Sequence, residues 1–173
     1  DPEYIFKRVV HSFYPKDFKR KKVLVTAGPT REPIDPVRFI SNPSSGKMGY
    51  AIAEAAADRG AEVILVAGPT DLPDPVGATV FKVQTAKEMA DAVLDVAEKV
   101  DVIIKVAAVS DYRPVERAAH KIKKSKAALS LTLERTQDIL AELGRRKKHQ
   151  VLVGFAAETQ DLVQQLGAET VHH

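Results

Sequence analysis

The chain has 173 residues, 45% of them hydrophobic and 28% charged, enough for one domain with a sizeable core and of ordinary globular composition. It has no cysteine, which excludes a disulfide framework, a thiol nucleophile and a zinc–thiolate site, and no apolar run approaches the ~20 residues a membrane-spanning helix needs. The net charge is a mild +3, and the basic runs at residues 19–22, 121–126 and 145–148 carry no interleaved aromatics, which argues against a platform for single-stranded nucleic acid.

Residues 1–20 read as a leader, a linker or docking arm whose Pro2 opens a helix to about Ser12 with Ile5, Val9 and Val10 as its apolar stripe. The segment is charged and lacks the apolar centre of a secretory signal, so a cytoplasmic protein with no membrane partner is expected. Residues 21–173 read as one domain. Val23 to Ala27 is a short buried strand. Residues 28–45 hold four prolines and read as a long loop, of the length that is usually functional. An alanine-rich helix follows from Gly46 to Arg59, with Ser44 or Ser45 as N-cap and Gly60 as its stop.

Ala61 to Ala67 is a second buried strand, residues 68–78 a loop, and Thr79 to Val83 a third strand. Thr85 caps a helix from about Ala86 to Lys99, with Met89, Val93 and Val96 on one face. Asp101 to Ala107 is a fourth strand. Residues 111–126 are polar, without apolar periodicity, and read as a mobile loop. Leu129, Leu131 and Leu133 alternate with polar residues, the period of a half-buried strand. Thr136 caps a helix to about Lys147, and Gln150 to Gly154 is a final strand. Apolar strands alternating with helices predict an α/β, three-layer Rossmann-like fold: a mostly parallel sheet with helices on both faces. In such a sheet ligands bind beyond the carboxyl ends of the strands, where the notable loops all emerge.

The stretch at that rim with most chemical content is Ile40 to Gly49, ISNPSSGKMG. Ser44, Ser45 and Gly46 at a helix start present free backbone N–H groups, and Gly46 lets an anion approach closely. Gly46-Lys47 is no Walker A loop, because Met48 stands where a Ser or Thr belongs, and the G-x-G-x-x-G fingerprint is absent too. Asn42 suits either an amide donor for an oxyanion or a plain turn before Pro43. Asp111 suits a base amino group, a ribose, a metal or a helix cap. Lys121, Lys123, Lys124 and Lys126 suit a loop closing over polyphosphate, or a solvated surface. No His/Glu/Asp spacing suggests a structural metal.

Lys22 to Gly49, KVLVTAGPTREPIDPVRFISNPSSGKMG, closely resembles phosphopantothenoylcysteine synthetase (phosphopantothenate–cysteine ligase). Ala107 to Pro114 (AAVSDYRP), Lys121 to Lys124 (KIKK) and Gly154 to Thr159 (GFAAET) match further blocks of that family in the same order, so the resemblance covers about residues 20–160. The leader resembles the linker that joins this ligase to a flavin-dependent decarboxylase in a bifunctional bacterial coenzyme A biosynthesis protein. The resemblance implies a ligase that activates 4′-phosphopantothenate with CTP and Mg2+, through an acyl-cytidylate, and then joins it to L-cysteine. It implies Asn42 at the acyl intermediate and Lys121 at the triphosphate and departing pyrophosphate. Ala107, Ala108, Asp111, Thr136, Gln137, Asp138, Ile139 and Phe155 would form the nucleotide pocket, and Arg38 with Ser44, Ser45, Gly46 and Lys47 would meet phosphate. A homodimer, and a decarboxylase domain in the same full-length chain, are implied as well.

Three departures are expected to matter: Lys105 entering a strand end, Gln137 in place of a proline, and a stretch after Glu158 that does not resemble the family's continuation, so that the domain is expected to be incomplete there. Two other readings compete: a Rossmann-type NAD(P)-binding oxidoreductase, against which the missing fingerprint counts, and a non-catalytic nucleotide-binding module.

Overall fold

The computed structural model describes residues 2–124 and 128–155. Among them the order is α1 (Pro2–Phe13), β1 (Lys22–Ala27), β2 (Arg31–Pro33), β3 (Phe39–Ser41), α2 (Lys47–Asp58), β4 (Glu62–Ala67), β5 (Ala78–Lys82), α3 (Ala86–Ala97), β6 (Val102–Lys105), β7 (Tyr112–Pro114), β8 (Leu133–Arg135), α4 (Ile139–Arg146) and β9 (Val151–Gly154).

Five strands form a sheet in the order β5-β4-β1-β6-β9, and every neighbouring pair is parallel. β1 lies in the centre. Its residues Val23, Leu24, Val25 and Ala27 are fully buried, which is why the segment reads as continuously apolar instead of alternating. Successive side chains still point to opposite faces. Leu24 joins Val66, Met89, Val93, Ile103, Ile139 and Leu143 in a core under α3 and α4, whereas Val23, Val25 and Ala27 join Tyr50, Ala53, Ala57 and Leu65 in a core under α2. Helices thus cover both faces, the three-layer arrangement the sequence predicts.

The ends of α2 and α3 follow from local chemistry. Gly60, at φ 90°, takes the left-handed position after α2; its N–H donates to the Ala57 carbonyl and that of Ala61 to Ala56, a Schellman closure. The Thr85 side chain accepts from Glu88 N–H at the start of α3, as expected. Two expectations need correction. The N-cap of α4 is Asp138, whose carboxylate accepts from Ala141 N–H at 2.9 Å; Thr136 stands two residues earlier and bonds elsewhere. The N-cap of α2 is Gly46, in the left-handed region at φ 76°, without a side-chain cap from Ser44 or Ser45.

The long loop is not structureless: β2 and β3 pair as an antiparallel hairpin within it. Residues 111–124 are not all loop either, because β7 pairs antiparallel with β8. The half-buried strand expected at Leu129 to Leu133 is shifted towards β8, and Leu129, Leu131 and Leu133 are exposed. Residues ahead of β1 touch the domain at the end of α2. Phe18 packs on the core beneath α2, Arg59 lies over its ring at 4.2 Å, and His11 pairs with Asp58 at 2.8 Å. The expected ligand role of Lys126 and the sequence blocks beyond Phe155 lie outside the described residues.

Helix α2 sits tightly on β1 because Gly49 has no side chain: an added Cβ would lie 2.5 Å from the Ala27 Cβ and 2.9 Å from the Thr26 carbonyl oxygen. Gly49→Ala is therefore expected to lower stability by about 1–3 kcal/mol. Gly144, inside α4 with nothing within 4 Å of its would-be Cβ, gives the opposite sign, and Gly144→Ala should gain about 0.5–1 kcal/mol. Urea unfolding midpoints of the two variants check both signs.

Candidate active site

The sheet order places a topological switch between β1 and β6. From β1 the chain moves through α2 to β4 on one side, and from β6 it continues to β9 on the other. The carboxyl ends of these two strands therefore flank a crevice, the usual ligand position in such a sheet.

Hydrogen bonds stitch the walls of that crevice together. Where the chain leaves β6, the N–H groups of Val106 and Ala107 both donate to the buried Thr26 Oγ1, at 3.1 Å each. Ala108 N–H then donates to the Gly28 carbonyl at 2.9 Å, and Thr30 N–H returns a bond to Ala108 at 3.3 Å. Ser110 N–H donates to the Thr30 Oγ1 at 2.9 Å. Asn42 joins this framework through Nδ2, which donates to the Val109 carbonyl at 3.1 Å, and Ser41 Oγ donates to the Thr30 carbonyl at 2.7 Å. On the far side, Thr136 Oγ1 donates to the Ser110 carbonyl at 2.6 Å and Thr136 N–H to Asp111 at 2.9 Å. Asn42, Ala107, Ala108, Asp111 and Thr136 are thus held in one network, and Gln137, Asp138 and Ile139 follow directly into α4. Phe155 is placed at the end of β9, its N–H donating to the Lys105 carbonyl at 3.1 Å. Lys105, the expected intruder, is only partly buried at the end of β6.

The turn before α2 lies against the exit of β1. A Cβ on Gly46 would sit 3.3 Å from Gly28 N and Cα, and 2.7 Å from the Thr70 methyl; one on Gly28 would meet the same methyl at 2.8 Å. The two glycines, both with φ near 75°, allow the loops after β1 and β4 and the start of α2 to converge. Ser44 Oγ accepts from Gly46 N–H at 3.3 Å and Ser45 Oγ accepts weakly from Lys47 N–H at 3.5 Å. Gly46 supplies no side-chain cap and the Ser45 contact is long, so the first-turn N–H groups of α2 keep most of the partial positive charge of a helix start.

Asp35, which sequence reasoning did not single out, organises the second wall. Its side chain is fully buried. Oδ1 accepts from the N–H groups of Val37 and Arg38, both at 2.8 Å, and Oδ2 accepts from Arg38 Nε at 3.0 Å and Nη2 at 2.6 Å. Oδ2 also accepts from Ile122 N–H at 3.1 Å, while Arg38 Nη2 donates to the Ile122 carbonyl at 2.9 Å. The Arg38 guanidinium, outweighing the effect of burial and aided by the backbone donors, holds the Asp35 carboxyl well below the usual carboxylate range. Arg38, expected to meet phosphate, is therefore already engaged on one edge, with its side chain 42% exposed.

Several cations away from this rim are paired, although others, such as Lys99 and Lys147, form no ion pair among the described residues. Arg59 pairs with Asp17, Lys82 with Asp74 and Arg145 with Glu142. Lys47, Lys121, Lys123 and Lys124 are exposed and form no ion pair among the described residues. Asp111 is exposed too, and its carboxylate has no partner among those residues. Unpaired positive charge beside a helix start and a crevice suits a polyanionic ligand.

With this geometry in view, the comparisons with known proteins are specific. Residues 18–171 match the sequence profile of the family described as DNA/pantothenate metabolism flavoprotein C-terminal domain. The chain belongs to that family. It is 52% identical over 166 residues to the coenzyme A biosynthesis bifunctional protein CoaBC of Bacillus subtilis, covering 94% of this chain and 41% of that one. The structure superposes on the crystal structure of a CoaBC C-terminal domain with a TM-score of 0.77 at 51% identity, covering 88% of this chain and 72% of that domain. The DNA/pantothenate metabolism flavoprotein from Streptococcus pneumoniae gives a TM-score of 0.68 at 26% identity, over 76% of this chain and 67% of that one. The chain thus spans about two fifths of the CoaBC relative's length, and the domain match extends the resemblance read from the sequence.

Two expectations follow from the network. Thr26→Val keeps the shape of the side chain but leaves the N–H groups of Val106 and Ala107 without their acceptor, and should cost about 1–3 kcal/mol for each orphaned group in urea unfolding. Asp35 has a folded-state pKa below its unfolded value of about 3.9, so its stabilisation is present above about pH 4 and is lost as pH falls further. The stability gap between wild type and Asp35→Asn should therefore narrow on acidification from pH 7 to pH 2; a gap that widens contradicts the pairing.

Proposed function

We propose that the chain is the ligase domain of a coenzyme A biosynthesis protein, joining 4′-phosphopantothenate to L-cysteine at the expense of CTP. The observation that supports this reading is a set of hydrogen bonds linking four separated sequence blocks: Asn42 to Val109 and Thr30 to Ser110 at the exits of β1 and β6, Thr136 to Ser110 ahead of α4, and Ile122 to Asp35 on the β2–β3 hairpin. Membership of the pantothenate-metabolism family and the naming of the Bacillus subtilis relative support the pathway.

In this reading a carboxylate oxygen of 4′-phosphopantothenate attacks the α-phosphorus of CTP, the bond to the β-phosphate breaks, and pyrophosphate departs with the electron pair. Lys121, aided by Lys123 and Lys124, stabilises that developing charge. The acyl-cytidylate is then attacked by the cysteine amine; CMP leaves, and the amine loses its proton as the amide forms. One Asn42 N–H is taken by Val109, which fixes the side chain and leaves the second N–H and Oδ1 for the acyl group. Ala107, Ala108, Asp111, Thr136, Gln137, Asp138, Ile139 and Phe155 frame the nucleotide. The remaining edge of Arg38 and the Ser44, Ser45, Gly46, Lys47 turn receive phosphate. Mg2+ would accompany the triphosphate and neutralise part of its charge, and needs no dedicated protein cage.

The full-length protein in this reading is cytoplasmic, holds a decarboxylase domain in the same chain, and is a homodimer. No described helix is long and apolar enough to cross a membrane. The dimer draws support from exposed apolar side chains on the two hairpins, Val37, Phe39, Tyr112, Val115, Leu131 and Leu133 among them.

Carboxylate-labelled [18O]phosphopantothenate tests the chemistry in the full-length protein. One 18O atom is expected in CMP, with one pyrophosphate released per product; label absent from CMP, or CDP and phosphate as products, overturns the acyl-cytidylate. Lys121→Gln should lower kcat/KM for MgCTP about 10²–10³-fold. Asn42→Asp should still release pyrophosphate but yield less amide product, and full product from that variant removes its assigned role. A wild type that binds MgCTP without any turnover would instead be a nucleotide-binding module.

A further inference from the structure

The same site contains a buried carboxylate that no part of the proposed chemistry uses. Asp35 lies at the tip of the β2–β3 hairpin, and its five accepted hydrogen bonds come from two segments far apart in sequence. Four come from Val37 and Arg38 and shape the hairpin tip. The fifth comes from Ile122, 87 residues away. Arg38 completes the link from the other side, so that both the N–H and the carbonyl of Ile122 are held by one acid–guanidinium fork. A second strut, Ala118 N–H to the Ile34 carbonyl at 2.9 Å, ties the same two segments four residues earlier.

The consequence lies on either side of Ile122. Ile122 is partly buried, whereas Lys121, Lys123 and Lys124 are exposed and unpaired among the described residues. Three long cationic side chains on an unanchored loop would lose much of their electrostatic advantage to their own freedom, because ordering each one costs rotamer entropy and the backbone adds more. Holding the peptide at Ile122 removes the backbone part in advance, and preorganised charge is what stabilises a developing anion.

Resting on the ligase reading above, we infer that Asp35, acting through the Arg38 fork on Ile122, is a positioning residue that presents Lys121 and its neighbours to the nucleotide triphosphate. Asp35 itself touches no substrate. Its part is separable from that of Lys121: loss of the fork frees the lysines but leaves their charge in place.

A double-mutant cycle in the full-length protein tests this, read by MgCTP binding in calorimetry and by amide hydrogen exchange. Asp35→Asn is expected to weaken MgCTP binding about tenfold, and to add little once Lys121→Ala is present, as for residues of one network. The Ile122 amide should exchange at least tenfold faster in Asp35→Asn but not in Lys121→Ala, with the amides of β1 unchanged in both. Ile122→Pro, which removes the donor without touching the hairpin tip, should reproduce the binding loss and serves alone should Asp35→Asn not fold. Fully additive effects of the two substitutions, or unchanged MgCTP affinity with the Ile122 amide released, overturn the inference alone. A wild type that binds no nucleoside triphosphate overturns the ligase reading, and the inference with it.

Discussion

The hydroxyl of Thr26 holds the rest of the crevice in place. Parallel strands share a ladder only as long as they run side by side, and the chain leaves that ladder after Lys105. Two backbone N–H groups, at Val106 and Ala107, then face a buried environment where an unsatisfied donor costs about 1–3 kcal/mol. One threonine on β1 accepts both. Thr30, four residues later and fully buried, does the same for Ser110. The segment that frames the proposed nucleotide pocket is therefore an extension of the central strand, held by side-chain oxygens where the backbone ladder has ended, and Asn42 and Thr136 are fastened to that extension.

Electrostatic work is divided between paired and unpaired charge. Exposed ion pairs such as Arg59 with Asp17 or Lys148 with Glu98 contribute little to stability, so their pairing mainly keeps the surface neutral. One acid at the rim, Asp35, is buried and committed to Arg38 and backbone donors, Asp111 is exposed, and Lys121, Lys123 and Lys124 form no ion pair among the described residues. Such an arrangement is mildly self-repelling without ligand, and is favourable when a polyanion arrives.

Much of this was legible in the sequence, for identifiable reasons. Fully apolar runs such as VLVTA and AEVILVA mark strands buried on both faces, and their alternation with helices gives the parallel sheet. Gly60 and Thr85 announce helix ends through backbone freedom and a short hydroxyl. The hairpins β2–β3 and β7–β8 were hidden because three-residue strands carry no periodicity. Gly46 takes the N-cap in place of the serines in a left-handed conformation, where a side chain would meet Gly28 and Thr70, partners remote in sequence. Thr136 gave way to Asp138 because its hydroxyl is engaged by Ser110. Asp35 and Thr30 looked like loop residues, since their partners lie about 80 positions away. The apolar alternation at Leu129 to Leu133 lies on an exposed segment and not on a strand packed against the core.

In the proposed ligase, nucleotide binds across the carboxyl ends of β1 and β6. Backbone amide chemical shifts of the protein titrated with MgCTP address it most directly. Perturbations are expected at residues 28–30, 106–111, 121–124 and 136–139. Silence there, with shifts gathered instead at the β5 edge around Lys82 and Asp74, would contradict it.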